Sequence, residues 1–88
     1  MIKQKIKIQN KLGLHARASM ELVKVAGRFG SEIMLDFNNR ELNAKSIMGV
    51  MVLGAKCGDE LTITVTGDDE KSAWDAVSGL INAKFNEE

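Results

Sequence analysis

The sequence has no proline and no tyrosine, and it contains one cysteine, one tryptophan and one histidine. The lone Cys57 cannot form an intramolecular disulfide, and one cysteine far from one histidine makes no recognisable zinc site. Basic and acidic residues balance at twelve each, so no overall charge attracts nucleic acid or an anionic membrane. We therefore expect no metal, no cofactor and no nucleic-acid partner.

Long hydrophobic runs are also absent. The first ten residues, MIKQKIKIQN, alternate lysine with isoleucine and lack the unbroken apolar core of a signal peptide. No window approaches the roughly twenty apolar residues that a membrane-spanning helix needs. These absences predict a cytoplasmic protein with no membrane partner. The 88 residues, of which 44% are hydrophobic, predict a single domain over residues 1–88.

Hydrophobic periodicity predicts four strands. Apolar and polar residues alternate in three segments, which is typical of strands with one buried face. A fourth, shorter segment follows the Asn38-Asn39 pair, which suits a tight hairpin turn because asparagine tolerates positive φ. The four segments are IKQKIKI, EIMLDF, RELN and ELTITVT.

Helical spacing of apolar residues predicts three helices. The first begins near Ala16, includes Phe29 and stops at Gly30. The second is short because two glycines weaken it, and the Ser46 hydroxyl is placed to cap its first turn. The third follows Asp69, where an acid favours the helix dipole.

The resulting order is β-α-β-β-α-β-α, and it predicts an α+β fold. Alternating strands need one covered face, and three amphipathic helices can cover it, so a two-layer sandwich of antiparallel sheet and helices follows. A ferredoxin-like arrangement is the competing fold. The extra helix and the very short third strand fit that arrangement poorly.

His15 is the sharpest candidate for chemistry, although a histidine at a helix start can also be a simple structural cap. Gly13 lets the chain turn sharply, Ala16 adds no bulk beside the ring, and Arg17 presents a positive fork. The unpaired N–H groups of a helix amino terminus suit a phosphoryl group attached to the ring. The sequence shows no serine or cysteine nucleophile paired with this histidine, no acid cluster for magnesium and no nucleotide-binding loop. The pattern predicts a phosphoryl carrier that is not itself an enzyme.

Two further features concern regulation and docking. Ser46 is either an N-cap worth about 1 kcal/mol or a site of regulatory phosphorylation. The segment SIMGVMVL is apolar around almost the whole of a short helix, so part of it faces solvent or a partner. Methionine suits a surface that must fit several partners. The predicted docking surface consists of Met20, Lys24, Ile47, Met48 and Met51.

The segments GLHARAS and AKSIMGVMVLG resemble the HPr family, the histidine-containing phosphocarrier proteins of the bacterial phosphoenolpyruvate-dependent sugar phosphotransferase system. The resemblance covers the whole chain in length and element order. It implies an open-faced β-sandwich with antiparallel strand order 1-4-2-3 and three helices on one face. It also implies that His15 is phosphorylated at Nδ1, with Arg17 and the backbone amide of Ala16 holding the phosphoryl group.

The same resemblance implies enzyme I as phosphoryl donor and the EIIA domains of sugar permeases as acceptors. Ser46 matches the serine that HPr kinase/phosphorylase modifies in lineages with that enzyme. Two positions depart from the family pattern. Ala18 stands where the family usually has proline, and Leu12 stands where a small polar residue often caps the first helix.

Three functions stay open at this point. The first is a monomeric phosphocarrier for sugar uptake. The second is a regulatory binding module controlled by phosphorylation of Ser46, or a member of a nitrogen-related phosphorelay, with no part in sugar uptake. The third is a purely structural α/β domain. Transfer of phosphate to a sugar-specific EIIA separates the first from the other two.

Overall fold

The computed structural model describes residues 1–87 and contains an antiparallel sheet covered by helices. The strand order is β1-β4-β2-β3, so the α+β class and the order 1-4-2-3 are confirmed. The strands are β1 (Ile2–Lys7), β2 (Glu32–Phe37), β3 (Arg40–Asn43) and β4 (Glu60–Thr66). The helices are α1 (Ala16–Ala26), α2 (Ile47–Leu53) and α3 (Glu70–Asn82), and a short turn, Lys84–Asn86, follows.

The sheet has one buried face because its strands alternate apolar and polar side chains. The register pairs Ile6 with Leu61 and Leu35 with Ile63, and all four side chains point into the core. The lysines of β1 lie on the other face and are exposed. One face of the sheet therefore packs on the helices and the other meets solvent.

Each helix contributes a stripe of buried side chains to this core. A fully buried Val, Leu or Ile contributes about 1.5–3 kcal/mol relative to an exposed one, so these stripes fix the helices on the sheet. Helix α1 packs against both α2 and α3. The buried apolar residues are Ala18, Leu22 and Ala26 in α1, Val50 and Leu53 in α2, and Ala73, Val77 and Ile81 in α3.

Two local predictions are confirmed. Asn38 and Asn39 form the β2–β3 turn with φ values of 53° and 62°, a left-handed conformation that asparagine tolerates. Ser46 caps α2, because its Oγ accepts a hydrogen bond from the Gly49 N–H at 3.2 Å. Both features shape the segment that leads from the sheet into α2.

The predicted end of the first helix is wrong. Helix α1 ends at Ala26, and Phe29 lies in the turn beyond it. The Phe29 N–H bonds to the Ala26 carbonyl only three residues earlier, at 3.3 Å. The Asp69 carboxylate then accepts hydrogen bonds from the N–H groups of Gly30 and Ser31, at 3.0 and 2.9 Å. This contact holds the chain in position to enter β2, so the helix stops before Gly30.

Among residues 1–87, no helix has the length and apolar character that crossing a membrane requires.

Candidate functional site

The loop that presents His15 is pinned by hydrogen bonds on both sides. Asn10, three residues beyond the end of β1, is fully buried, and its Nδ2 donates to the Gly13 carbonyl at 2.7 Å. The Leu14 N–H donates to the Ala55 carbonyl at 3.0 Å, and Ser19 Oγ donates to the Leu14 carbonyl at 3.2 Å. The loop is therefore a fixed support for the residue that follows.

His15 is the N-cap residue of α1. Its backbone is extended, with φ −75° and ψ 179°, and its carbonyl accepts the Ser19 N–H at 2.9 Å as the first bond of the helix. The imidazole does not cap the helix, and 28% of its surface is exposed. A partly exposed ring at this point is open to a partner protein, whereas a structural cap would face the backbone amides.

The first turn of α1 has a positive electrostatic character. A helix amino terminus leaves its first N–H groups without intrahelical partners, and among residues 1–87 no side chain bonds to them and no acid lies within the turn itself. Ala16 begins the helix and is exposed, and Arg17 follows with 65% of its side chain in solvent. A cation in a first turn is unfavourable to the helix dipole unless an anion balances it. The turn is thus suited to hold an anionic group.

An acid from the far end of the chain lies at this turn. The Glu87 side chain is only 10% exposed, and its Oε2 contacts the Nε2 atom of His15. The same oxygen lies 3.7 Å from the Arg17 guanidinium, and Oε1 accepts a hydrogen bond from Asn10 Nδ2 at 3.1 Å. The site therefore consists of His15, Arg17, Asn10 and Glu87.

The electrostatics of this cluster favour an ionised carboxylate. The hydrogen bond from His15 holds the pKa of the Glu87 carboxyl below its usual value, burial opposes this, and the Asn10 amide and the Arg17 charge act in the same direction as His15. Glu87 is thus a negatively charged group beside the Arg17 guanidinium and the amino terminus of α1.

Sequence reasoning missed Asn10 and Glu87. It also left the capping of α1 without an answer, since Leu12 offers no polar atom. Leu12 is 69% exposed, and within the described part of the chain no side chain replaces that cap. The apolar Phe85, which is buried beyond the last helix, was the available sign that the final residues fold back on the domain.

The predicted regulatory serine lies at the exposed start of α2. Ser46 is exposed, and its hydroxyl is accessible apart from the capping bond to Gly49. Lys45, the residue before Ser46, is already engaged, because its Nζ donates a hydrogen bond to the Phe29 carbonyl oxygen at 2.7 Å. The ammonium would have to leave that carbonyl in order to reach a phosphate.

The predicted docking residues lie on α1 and α2, which pack side by side. Met20, Met48 and Met51 are exposed large apolar side chains, Lys24 is exposed and Ile47 is half-buried. Leu12 and Val52 are also exposed, and the sequence reasoning did not include them. An apolar surface with several methionines is typical of a site that contacts partners of different shape.

No metal site accompanies these features. Within residues 1–87, no group of three or more His, Cys, Asp or Glu side chains lies close enough to hold a metal ion. Cys57 is exposed, with its Sγ 3.7 Å from the Gln9 carbonyl oxygen.

Comparison with known proteins points to one family. A family model described as "PTS HPr component phosphorylation site" matches residues 2–83. The phosphocarrier protein HPr of Cupriavidus necator is 47% identical over 87 residues, covering 99% of this chain and 98% of the relative. The HPr-like protein Crh of Bacillus subtilis is 37% identical over 81 residues, covering 92% of this chain and 95% of that protein.

A solved structure gives the same result. HPr-C-His from Thermoanaerobacter tengcongensis matches with a TM-score of 0.96 and 44% identity, covering 100% of this chain and 99% of that chain. A crystal structure of the HPr dimer from the same organism matches with a TM-score of 0.80, covering 99% of this chain and all of that chain. The similarity in sequence and the likeness in fold thus both extend over nearly the whole chain.

Proposed function

Because the chain belongs to the HPr family of phosphocarrier proteins, we propose that it carries a phosphoryl group on His15 from one protein to another. One observation carries the proposal. The single histidine stands partly exposed at the uncapped start of α1, beside the Arg17 guanidinium. An imidazole at this position can offer a nitrogen lone pair to phosphorus. The Arg17 guanidinium and the unpaired N–H groups of the helix start can balance the negative charge of the phosphoryl group.

In this function His15 Nδ1 accepts the phosphoryl group. Arg17 and the backbone amide of Ala16 then stabilise its oxygens, since unpaired N–H groups and a guanidinium both favour phosphate. The transfer passes through a loose, in-line transition state, for which positioning and charge balance are the main requirements. The protein acts as a substrate of phosphotransferases and contributes no catalysis of its own.

Membership of the family supports a choice of donor and acceptors. Enzyme I, charged by phosphoenolpyruvate, supplies the phosphoryl group, and EIIA domains of sugar permeases receive it. The proposed docking surface is formed by Met20, Lys24, Ile47, Met48 and Met51, and its three methionines supply exposed apolar area. We place this relay in the cytoplasm and expect one domain that acts as a monomer.

Ser46 is the proposed regulatory site of the carrier. An HPr kinase/phosphorylase, where the organism has one, would phosphorylate its exposed hydroxyl. The added charge would stand at the start of α2, beside the apolar side chains of Ile47 and Met48, where it opposes apolar docking. Phosphorylation of Ser46 would therefore slow phosphoryl acceptance by His15.

A second function is favoured by one comparison. This chain is similar to Crh of Bacillus subtilis, an HPr-like protein of catabolite repression. That similarity supports a regulatory binding module as the second candidate function. Such a module would bind a target only after phosphorylation of Ser46 and would have no part in sugar uptake. A nitrogen-related phosphorelay member would instead accept phosphate without passing it to a sugar-specific EIIA.

The proposed function is tested by intact-mass spectrometry. The purified chain is incubated with enzyme I, magnesium and phosphoenolpyruvate, and the mass is read at mildly alkaline pH, where phosphohistidine survives. We expect the gain of one phosphoryl group that is lost in acid and that passes on when a sugar-specific EIIA is added. Wild-type protein that gains no mass would contradict the proposal and favour the Ser46-controlled module.

Two variants make this test specific. His15→Ala should keep the fold and gain no mass, because no other histidine exists in the chain. Glu41→Ala, an exposed position on β3, serves as the matched control and should behave as wild type. An acid-labile phosphoryl group on His15→Ala would exclude His15 as the acceptor.

A further inference from the structure

The last residues of the described chain fold back onto the domain in a defined conformation. Lys84, Phe85 and Asn86 have φ values of 57°, 54° and 60°, which make a left-handed turn of three non-glycine residues. Such a backbone costs free energy and persists only where packing holds it. Phe85 supplies that packing, since it is 3% exposed and part of the hydrophobic core. The turn thus delivers Glu87 to a fixed place.

The Glu87 carboxylate lies against the imidazole of His15. Glu87 Oε2 contacts Nε2 of the ring, and the pKa of the Glu87 carboxyl is lowered, which is consistent with an ionised group. An ionised carboxylate only accepts hydrogen bonds, so the contact requires a proton on Nε2. In a neutral imidazole the other nitrogen, Nδ1, then carries the free lone pair.

We propose that Glu87, held by Asn10, is a positioning residue for phosphoryl transfer: it keeps the ring proton on Nε2 and so keeps Nδ1 free as the nucleophile. This inference rests on the proposed function and gives Glu87 and Asn10 a role in it. Partners on the far nitrogen of a histidine commonly fix its tautomer and orientation in this way.

The proton and electron balance of the step follows from this arrangement. The Nδ1 lone pair forms the new N–P bond while the bond between phosphorus and the donor atom breaks, and its electron pair stays on the donor. Nε2 keeps its proton, so the phosphorylated ring carries a positive charge that the Glu87 carboxylate balances. When an acceptor takes the phosphoryl group, the N–P electron pair returns to Nδ1.

Asn10 is the support for Glu87. Its Nδ2 donates both to Glu87 and to the Gly13 carbonyl, whereas its Oδ1 is buried without a hydrogen-bond partner among residues 1–87. A half-satisfied buried amide is a costly way to pack a core. We infer that Asn10 is placed here because its Nδ2 fixes two groups: the loop before His15 and the Glu87 carboxylate that contacts the ring.

The tautomer is tested by NMR of the full chain with ¹⁵N-labelled histidine. With one histidine, all ring signals belong to His15. At about pH 9, above the usual imidazole range, wild type should show a protonated Nε2, an unprotonated Nδ1 and an Nε2–H that exchanges slowly with water. Glu87→Ala should lose the slow exchange and shift both ring nitrogens. Identical ring spectra in the two proteins would overturn the inference.

The charge balance is tested by the rate of phosphoryl acceptance from enzyme I. Glu87→Gln keeps the shape of the side chain but not its charge, and we expect kcat to fall about tenfold with KM unchanged. Glu41→Ala is the control, since it removes an exposed glutamate far along the sequence on β3. A Glu87→Gln protein with wild-type kcat would contradict the charge-balancing role. Far-UV circular dichroism confirms that each variant is folded.

These experiments distinguish a failure of the proposed function from a failure of the positioning role of Glu87. If wild type accepts no phosphoryl group, the proposed function fails, and the ring spectrum still decides whether Glu87 fixes the tautomer. If wild type accepts the group and the Glu87 variants match it in both ring spectrum and rate, only the positioning role is refuted.

Discussion

Replacing Gly13 by alanine tests whether the loop before His15 is as tightly constrained as the structure indicates. Gly13 has φ +63°, and a Cβ built on it lies 2.6 Å from the carbonyl oxygen of Ala55 and 2.8 Å from Cα of Lys56. Both neighbours are backbone atoms, so no side-chain rotation relieves the contact. The Leu14 N–H bond to the same carbonyl of Ala55 would be displaced as well.

The expected cost has two parts. A non-glycine residue in the left-handed region costs about 1–2 kcal/mol, and forcing an extra methyl into a packed site costs about 1–3 kcal/mol. Together they amount to about 2–5 kcal/mol, a large share of the roughly 5–15 kcal/mol that stabilises a typical domain. The midpoint of thermal unfolding should fall by at least about 8 °C.

Gly79→Ala provides a control of opposite sign. Gly79 lies inside α3, is exposed, and a Cβ there meets nothing within 4 Å. Alanine at this helical position should stabilise the protein by about 0.5–1 kcal/mol. Both variants are measured by urea unfolding followed by circular dichroism. A Gly13→Ala protein as stable as wild type would refute the account of this loop.

Two further variants address the cap of α2 and the contact of Asp69. Ser46→Ala should lose about 1 kcal/mol in urea unfolding and Ser46→Asp almost nothing, since aspartate is an equally good N-cap; equal losses would contradict the capping role. Hydrogen bonds from the Ser31 hydroxyl and the Gly30 N–H lower the pKa of Asp69. Its contribution to stability is therefore complete above about pH 4 and is lost as pH falls through the lowered value. Asp69→Asn should unfold with a shallower dependence on pH below 4, and an unchanged slope would contradict this.

The elements of the fold could be predicted from local patterns. The alternation in IKQKIKI and ELTITVT defines a buried and a wet face, and only the strand conformation satisfies it. The strand order could not be obtained in this way, because alternation does not say which strands are neighbours. It came from the resemblance to the HPr family. The end of α1 was misplaced because Asp69, 39 residues away from Gly30, helps to fix it.

Only half of the site could be predicted, because contacts between residues that are distant in the sequence leave no local pattern. His15 and Arg17 are close in sequence, and the local signals of a glycine turn and a helix start mark them. Asn10 and Glu87 are separated by 77 residues, and they meet only because Phe85 packs into the core through a left-handed turn. Lysine and phenylalanine disfavour a left-handed backbone, so the local sequence does not predict that turn, although the apolar Phe85 does indicate that this segment packs on the domain.

We propose that Nδ1 of His15 carries the phosphoryl group. The direct measurement is ¹⁵N and ³¹P NMR of the chain labelled with ¹⁵N-histidine after incubation with enzyme I and phosphoenolpyruvate. We expect phosphorus coupled to Nδ1, with the proton still on Nε2. Phosphorus coupled to Nε2, or no phosphorus on the ring, would contradict it.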